Sequence, residues 1–171
     1  VVDQGVDYTH PDLVPNMWVN EAEKNGKPDV DDDGNGYVDD VHGYNFVDGE
    51  GDINYDKSQD FDTGHGTHCA GIIGAVNNNG IGMAGVAGGT GNNDGVRIMS
   101  CQIFSKGYGG ETRYSSRAIK YAADNGASVI SCSYGYPGGT FMSDGEFLRE
   151  DGAEAAAVRY FEANKNNDVL D

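Results

Sequence analysis

Along the chain, apolar residues gather into short runs separated by long stretches rich in glycine, asparagine and aspartate. Residues 1–3 read as the end of a buried strand that runs into Gln4-Gly5. Residues 16–64 are long and polar, with one short apolar piece, Tyr44-Asn45-Phe46-Val47, that predicts a strand. Residues 64–76 place small and apolar side chains at helical spacing and end in the loop Asn77-Asn78-Asn79-Gly80. Glycine is a poor helix former, so close packing must hold that helix in place of propensity. Residues 96–104 form a short apolar run fitting a buried strand. Residues 111–125 carry Tyr114, Ala118, Tyr121 and Ala122 on one face and stop at Asn125-Gly126. A β-branched run at residues 127–134 predicts a further strand, and residues 151–165 a further helix.

Strands alternating with helices at this spacing imply crossovers and a parallel sheet. The expected class is α/β, a partial doubly wound parallel sheet with helices on both faces. Active sites in such sheets lie at the carboxyl ends of the strands, which is where Asp3 falls.

The 171 residues suffice to bury a core. Hydrophobic residues make up 37%, mean hydropathy is −0.55, and no apolar run is long enough to span a bilayer. The chain begins without methionine, so it is expected to have been cut from a longer polypeptide. Charge is lopsided: of 28 acidic residues, 17 lie within the first 65 positions, against three lysines there. Such a field repels nucleic acid and anionic membranes and suits cations. Cys69, Cys101 and Cys132 show no CxxC spacing, each in an apolar or small-residue context. They are expected to be buried free thiols and not a disulfide framework.

Two segments carry catalytic chemistry. Val2-Asp3-Gln4-Gly5-Val6 puts a carboxylate where a strand ends, with a glycine permitting a sharp turn. Asp62-Thr63-Gly64-His65-Gly66-Thr67-His68-Cys69-Ala70-Gly71 puts an imidazole at a helix start, flanked by glycines that let other backbone approach. A serine hydrolase needs this pair: the carboxylate fixes one ring nitrogen while the other takes the nucleophile's proton. A lone Asp-x-Gly is an ordinary turn; the long string around His65 is far more specific. A zinc reading of His65 with His68 is disfavoured, lacking a glutamate at the usual spacing and a third ligand.

On these strings, and over essentially its whole length, the chain resembles the subtilisin-like serine proteases (subtilases). Val-Val-Asp-x-Gly-Val-Asp-x-x-His-Pro-Asp-Leu is similar to the family's catalytic-aspartate motif at Asp3, and His-Gly-Thr-His-Cys-Ala-Gly to its catalytic-histidine motif at His65. The order, Asp then His, is the family's. Residues 127–135 resemble the strand lining the primary specificity pocket, so the backbone of Ser133, Tyr134 and Gly135 is expected to pair with extended substrate. The loop Gly107-Tyr108-Gly109-Gly110 resembles the other wall of that cleft, adding Gly107 and Gly109. Two departures stand out. Gln4 replaces the usual Ser or Thr after the aspartate, and its amide is expected to donate in the hydroxyl's place. The family's oxyanion-hole asparagine and nucleophilic serine motif come later in the family's chain than anything matched here.

The resemblance therefore implies that residues 1–171 are the N-terminal portion of one peptidase domain, truncated before the nucleophile segment, with an acidic insertion at about 16–62. The parent is expected to be a secreted or cell-envelope endopeptidase acting on polypeptides through an Asp-His-Ser triad. This chain supplies Asp3 and His65 and is expected to be inactive alone. The alternative is a parent that kept the fold and lost catalysis, acting as a binding or scaffold protein. A calcium-dependent adhesion module leaves the His65 string unexplained. If family order holds, residues 127–134 become an open sheet edge, and self-association through it is expected.

Residues 29–40 fit the Asp-x-Asp-x-Asp-Gly pattern of calcium loops. Asp29, Asp31 and Asp33 fall at positions one, three and five; Gly34 makes the turn; Asn35 lies within the loop; and Asp40 takes the last position. Flanking helices of an EF-hand are not evident. A structural calcium bracing the stretch between Asp3 and His65 is the expectation, and some subtilases carry a similar insertion.

Overall fold

The structure, a computed structural model, describes residues 1–53, 64–105, 108–109, 112–135 and 143–165. Three short parallel strands form its centre, in the order β1 (Val2–Asp3), β3 (Ser100–Gln102), β2 (Gly43–Asn45). Cys101 of β3 lies opposite both Val2 and Tyr44. A separate antiparallel pair, β4 (Phe104–Ser105) and β5 (Tyr108–Gly109), follows directly.

Side chains alternate across the sheet, as the strand period of two requires. Val2, Tyr44, Met99, Cys101 and Ile103 join Phe46 on one face, under Ala118, Tyr121 and Ala122 of α3 (Thr112–Asp124). Ile98 goes to the other face with Val6, Leu13, Met17 and Ala75, against Ala70 of α2 (His65–Gly74). Helices thus cover both faces, and the partial doubly wound α/β architecture is the one expected. Tyr37, Tyr44, Phe46 and Tyr121 meet edge-to-face at 4.8–5.7 Å, the arrangement aromatic quadrupoles favour.

α5 (Gly152–Lys165) packs chiefly on α3. There the Tyr160 hydroxyl donates to Asp124 and the Lys120 ammonium sits 4.8 Å over the Tyr160 ring. Two short helices were absent from the sequence reading: α1 (Glu21–Lys24), capped by the Asn20 side chain accepting from Ala22 N, and α4 (Asp144–Glu150). No helix among the described residues is long and apolar enough to cross a membrane.

Two expected strands come out differently. The run at 96–104 breaks into a lone bridge at Ile98, then β3, then β4, because the chain leaves the sheet at buried Ile103 to form the β4–β5 pair. The run at 127–134 is not a regular strand. It makes a single parallel bridge, Cys132 to Val2, with Val2 N donating to Ser131 O. β-propensity needs a pairing partner to become a strand. Here the partner is the two-residue β1, no strand flanks the outer side among the described residues, and Val129 is 83% exposed.

Candidate active site

Asp3 ends β1 and is 2% exposed. The chain then turns through Gly5, whose φ of +101° few other residues adopt. His65 opens α2. Its Nδ1 lies 2.8 Å from Asp3 Oδ1 and 2.9 Å from Oδ2, while its side chain remains 47% exposed. The backbone N–H of Gln4 donates to Asp3 Oδ1 at 2.7 Å.

Close packing places these two groups. Gly66 follows His65 on the first turn of α2, and a Cβ there would lie 2.2 Å from the Gly5 carbonyl oxygen. At the far end, a Cβ on Gly74 would meet Val96 and Ile98 side chains. The glycines that weaken α2 intrinsically are thus what lets it approach β1. Thr67 Oγ1 accepts from Asp7 N at 2.9 Å, tying the same turn to the segment after β1.

A buried carboxylate against Nδ1 fixes the tautomer with the proton on Nδ1. Nε2 is then the nitrogen able to take a proton from a nucleophile, and Asp3 stabilises the imidazolium that results. The expected donation from the Gln4 side chain is replaced by its backbone N–H; Gln4 Oε1 is buried with no partner among the described residues. Cys69, read from the sequence only as a packed thiol, stands 3.9 Å from His65 Nδ1. Its i, i+4 spacing from His65 was the available signal. His68 belongs to neither group of converging metal-ligating side chains among the described residues. Of the three thiols, Cys101 is buried, and burial pushes it up to about 11; Cys69 is half-buried and Cys132 is exposed, against expectation.

Of the two expected cleft walls, residues 133–135 and 108–109 are described. Cys132 is opposite Val2, so Ser133 comes level with Asp3. Ser133 and Gly135 are exposed and Tyr134 is half-buried. On the other wall Gly109 pairs with Phe104; Gly107 lies outside the described residues. The walls touch: the Phe104 and Tyr134 rings stand 6.2 Å apart, edge to face. The Tyr134 hydroxyl donates to Glu154 Oε1 at 2.6 Å. Burial, and then that bond, push the Tyr134 phenol well above its usual range. Glu154 gave no signal in the sequence beyond its place in a helical first turn.

The acidic loop is more ordered than its composition suggests. Asp31 Oδ1 accepts from the N–H groups of Gly34 and Asn35, and Oδ2 from Gly36 N. Those donors, the Gly36 N–H foremost, hold the Asp31 carboxyl below the usual range, so it stays ionised. Glu23 of α1 accepts from Asp32 N, Asp33 N and Asp39 N. Carboxylate oxygens of Glu23, Asp31 and Asp33 lie within 4.8 Å of one another. Of the five expected ligands, the structure brings only Asp31 and Asp33 into this group. Asp29, at φ +63°, is exposed, and its described bond is from its own N–H to Asp39. Asn35 instead donates its amide to Asp33 and Asp40. Asp40 is fully buried and turned inward, accepting from Asn20, Asn35 and the Tyr121 hydroxyl at 2.6 Å. Burial pushes its carboxyl above the usual range.

Comparison with known proteins places the chain in a family. Residues 1–170 match the Subtilase family. Over 136 residues the chain is 40% identical to Subtilisin-like protease 1 of Plasmodium vivax, covering 80% of this chain and 20% of that protein. It is 38% identical over 135 residues to a Thermophilic serine proteinase of Bacillus sp. (strain AK1), covering 79% and 25%. To Thermitase of Thermoactinomyces vulgaris it is 33% identical over 135 residues, covering 79% and 36%. The chain therefore spans about a fifth of the length of the Plasmodium relatives it matches.

Proposed function

The chain belongs to the subtilase family, and from that membership we propose that it is the Asp-His portion of a serine endopeptidase domain that hydrolyses peptide bonds. The observation that carries this reading is the bidentate approach of buried Asp3 to His65 Nδ1, with half the imidazole open to solvent. His65 acts as general base through Nε2 toward a serine supplied from outside residues 1–171. It then returns the proton to the leaving amine, while Asp3 holds the ring and balances its charge. The backbone of Ser133, Tyr134 and Gly135 on one side, and of Gly109 with Gly107 on the other, receives the extended substrate.

The acidic loop binds calcium in this reading. Hard oxygen donors suit it, and Glu23, Asp31 and Asp33 are the carboxylates whose convergence supports the assignment. Asp40 and Asn35 brace the loop from behind. Bound calcium would supply cohesion to this loop, not chemistry. Export to the cell surface or medium fits such a site. The exposed edge at 127–134 is proposed as the route to self-association; a clean monomer on sedimentation at high concentration counts against it.

The test is a fluorophosphonate probe applied to the full-length protein, with adducts mapped by peptide mass spectrometry and His65→Ala alongside. One labelled serine outside residues 1–171, lost in the variant, is the expected result. A folded protein that takes no label has lost or masked its nucleophile, and a scaffold role then replaces the protease reading.

A further inference from the structure

The segment at 133–135 has little backbone support of its own. Among the described residues its neighbourhood pairs with the sheet only through the Val2–Cys132 bridge, and Ser133 and Gly135 are exposed. A stretch with so few ladder bonds opens easily. Strand-like capture of an extended peptide needs the opposite, a backbone already fixed before the peptide arrives.

One side chain compensates. Tyr134 reaches inward, its ring edge-on to Phe104 at 6.2 Å and its hydroxyl 2.6 Å from Glu154 Oε1. Glu154 lies in the first turn of α5, α5 packs on α3, and α3 covers the sheet that carries Asp3. A hydrogen bond from a phenol to a carboxylate is charge-assisted, short and directional, so it sets ring orientation where apolar packing alone would leave freedom. The chain of support thus runs from the core through two helices to the one anchored residue of the segment.

We propose that Glu154 is a positioning residue for substrate binding, holding the Tyr134 ring against Phe104 and so fixing the backbone of residues 133–135 level with Asp3. This rests on the protease reading of the site. Glu154 is hydrogen-bonded to Tyr134, and the Asp3–His65 pair is built from β1 and α2, which α5 reaches through α3. Loss of the Glu154–Tyr134 bond therefore weakens peptide binding and spares the chemical step.

The experiment measures kcat and KM of the full-length protein with an extended peptide substrate, together with the rate of fluorophosphonate labelling, which needs no extended pairing. The variants are Glu154→Ala, Tyr134→Phe, the two combined, and Glu154→Gln, which keeps an acceptor oxygen. Glu154→Ala and Tyr134→Phe should each raise KM about tenfold, the worth of one such bond, with kcat and labelling within about twofold of wild type. The double variant should be no worse than either single one, and Glu154→Gln, which keeps the acceptor without the charge, should raise KM by less than Glu154→Ala. Unchanged KM in variants that still turn over and label overturns the positioning role and leaves the protease reading standing. A parallel fall in kcat, labelling and thermal midpoint marks a merely structural contact and overturns it as well. If Glu154→Ala fails to fold, the near-isosteric Tyr134→Phe and Glu154→Gln decide the matter. Wild-type protein that neither labels nor turns over sinks the protease reading, and this proposal with it.

Discussion

Gly66 of α2 and Gly5 after β1 are in backbone contact: a Cβ on Gly66 would lie 2.2 Å from the Gly5 carbonyl oxygen and 3.2 Å from Asp3 Cβ. Two effects oppose each other at this position. Alanine is the better helix former by about 1 kcal/mol. Overpacking against a fixed backbone costs about 1–3 kcal/mol, and here the clashing atom is a main-chain oxygen that cannot rotate away. The clash wins, and it acts by pushing α2 off β1, which separates His65 from Asp3. Gly66→Ala should lower the thermal midpoint of this chain and cut turnover in the full-length protein by more than the stability loss explains. Gly152→Ala is the control, since a Cβ there meets nothing within 4 Å; a midpoint at or above wild type is expected for it. Equal behaviour of the two variants would dissociate the close approach from catalysis.

Tyr121 of α3 reaches across the core to Asp40, 81 residues away, and the bond is fully buried. Removing the hydroxyl leaves a buried carboxylate short of one donor, at about 1–3 kcal/mol. Tyr121→Phe should therefore shift the urea midpoint of this chain downward by that amount. The pH dependence follows from the raised Asp40 carboxyl. A raised folded pKa means that the group favours the folded state below its unfolded pKa, and that this contribution is lost as pH rises through the folded value. The Tyr121 donor bonds best to the ionised form, so its loss raises the folded pKa further. The destabilisation by Tyr121→Phe should accordingly be larger at pH 7 than below the Asp40 pKa. A pH-independent difference would mean that the bond is not made to an ionised Asp40.

The Asp3–His65 contact was legible in the sequence because its demands are local: a carboxylate at a strand end and a histidine between glycines are both written within a few residues. The face of α3 was legible for a similar reason, its helical period putting Ala118, Tyr121 and Ala122 into the core. What failed depends on partners distant in sequence. The run at 127–134 has strand composition, but pairing is a tertiary property, and among the described residues only Val2 bridges to it. The loop pattern at 29–40 named Asp29 and Asp40 as ligands by position. In the fold, Asp29 turns outward at positive φ and Asp40 is drawn to Tyr121, while Glu23 enters from α1. No spacing within the loop encodes that exchange.

The Asp3–His65 contact also fixes how the two residues should differ on removal. In the proposed mechanism His65 exchanges the proton, whereas Asp3, 2.8 Å from its Nδ1, orients the ring and compensates charge. In subtilisin itself, loss of the histidine costs about a millionfold in turnover and loss of the aspartate about ten thousandfold. Those values are carried over here as the expected order, not deduced from the geometry. In the full-length protein, His65→Ala should lose turnover by that larger factor and Asp3→Asn by the smaller one, both with little change in KM. Equal, mild losses in both variants would mean that this pair does not act as base and orienter.

The acidic loop separates two ligand sets that the sequence alone could not. If calcium follows the linear pattern, Asp29 at position one is a ligand. If it follows the fold, the carboxylates of Glu23, Asp31 and Asp33 are the ligands, and Asp29 lies outside. Asp31 is poised for the task, since backbone N–H groups from Gly34, Asn35 and Gly36 hold its carboxyl ionised and aimed. Calorimetry on chelator-treated chain, titrated with calcium chloride, should show one site together with a rise in thermal midpoint as calcium is added. Asp31→Asn and Glu23→Gln should each weaken binding about tenfold or more, because each removes a full charge from a small oxygen cage. Asp29→Asn should leave the affinity within about twofold. The reverse ranking, Asp29→Asn costly and Glu23→Gln silent, would restore the linear pattern and mean that the loop closes differently around the ion. No heat and no shift up to millimolar calcium would mean that the carboxylates are held by backbone and amide donors alone, with the hydrogen bonds to Asp31 and Glu23 sufficient to offset their repulsion.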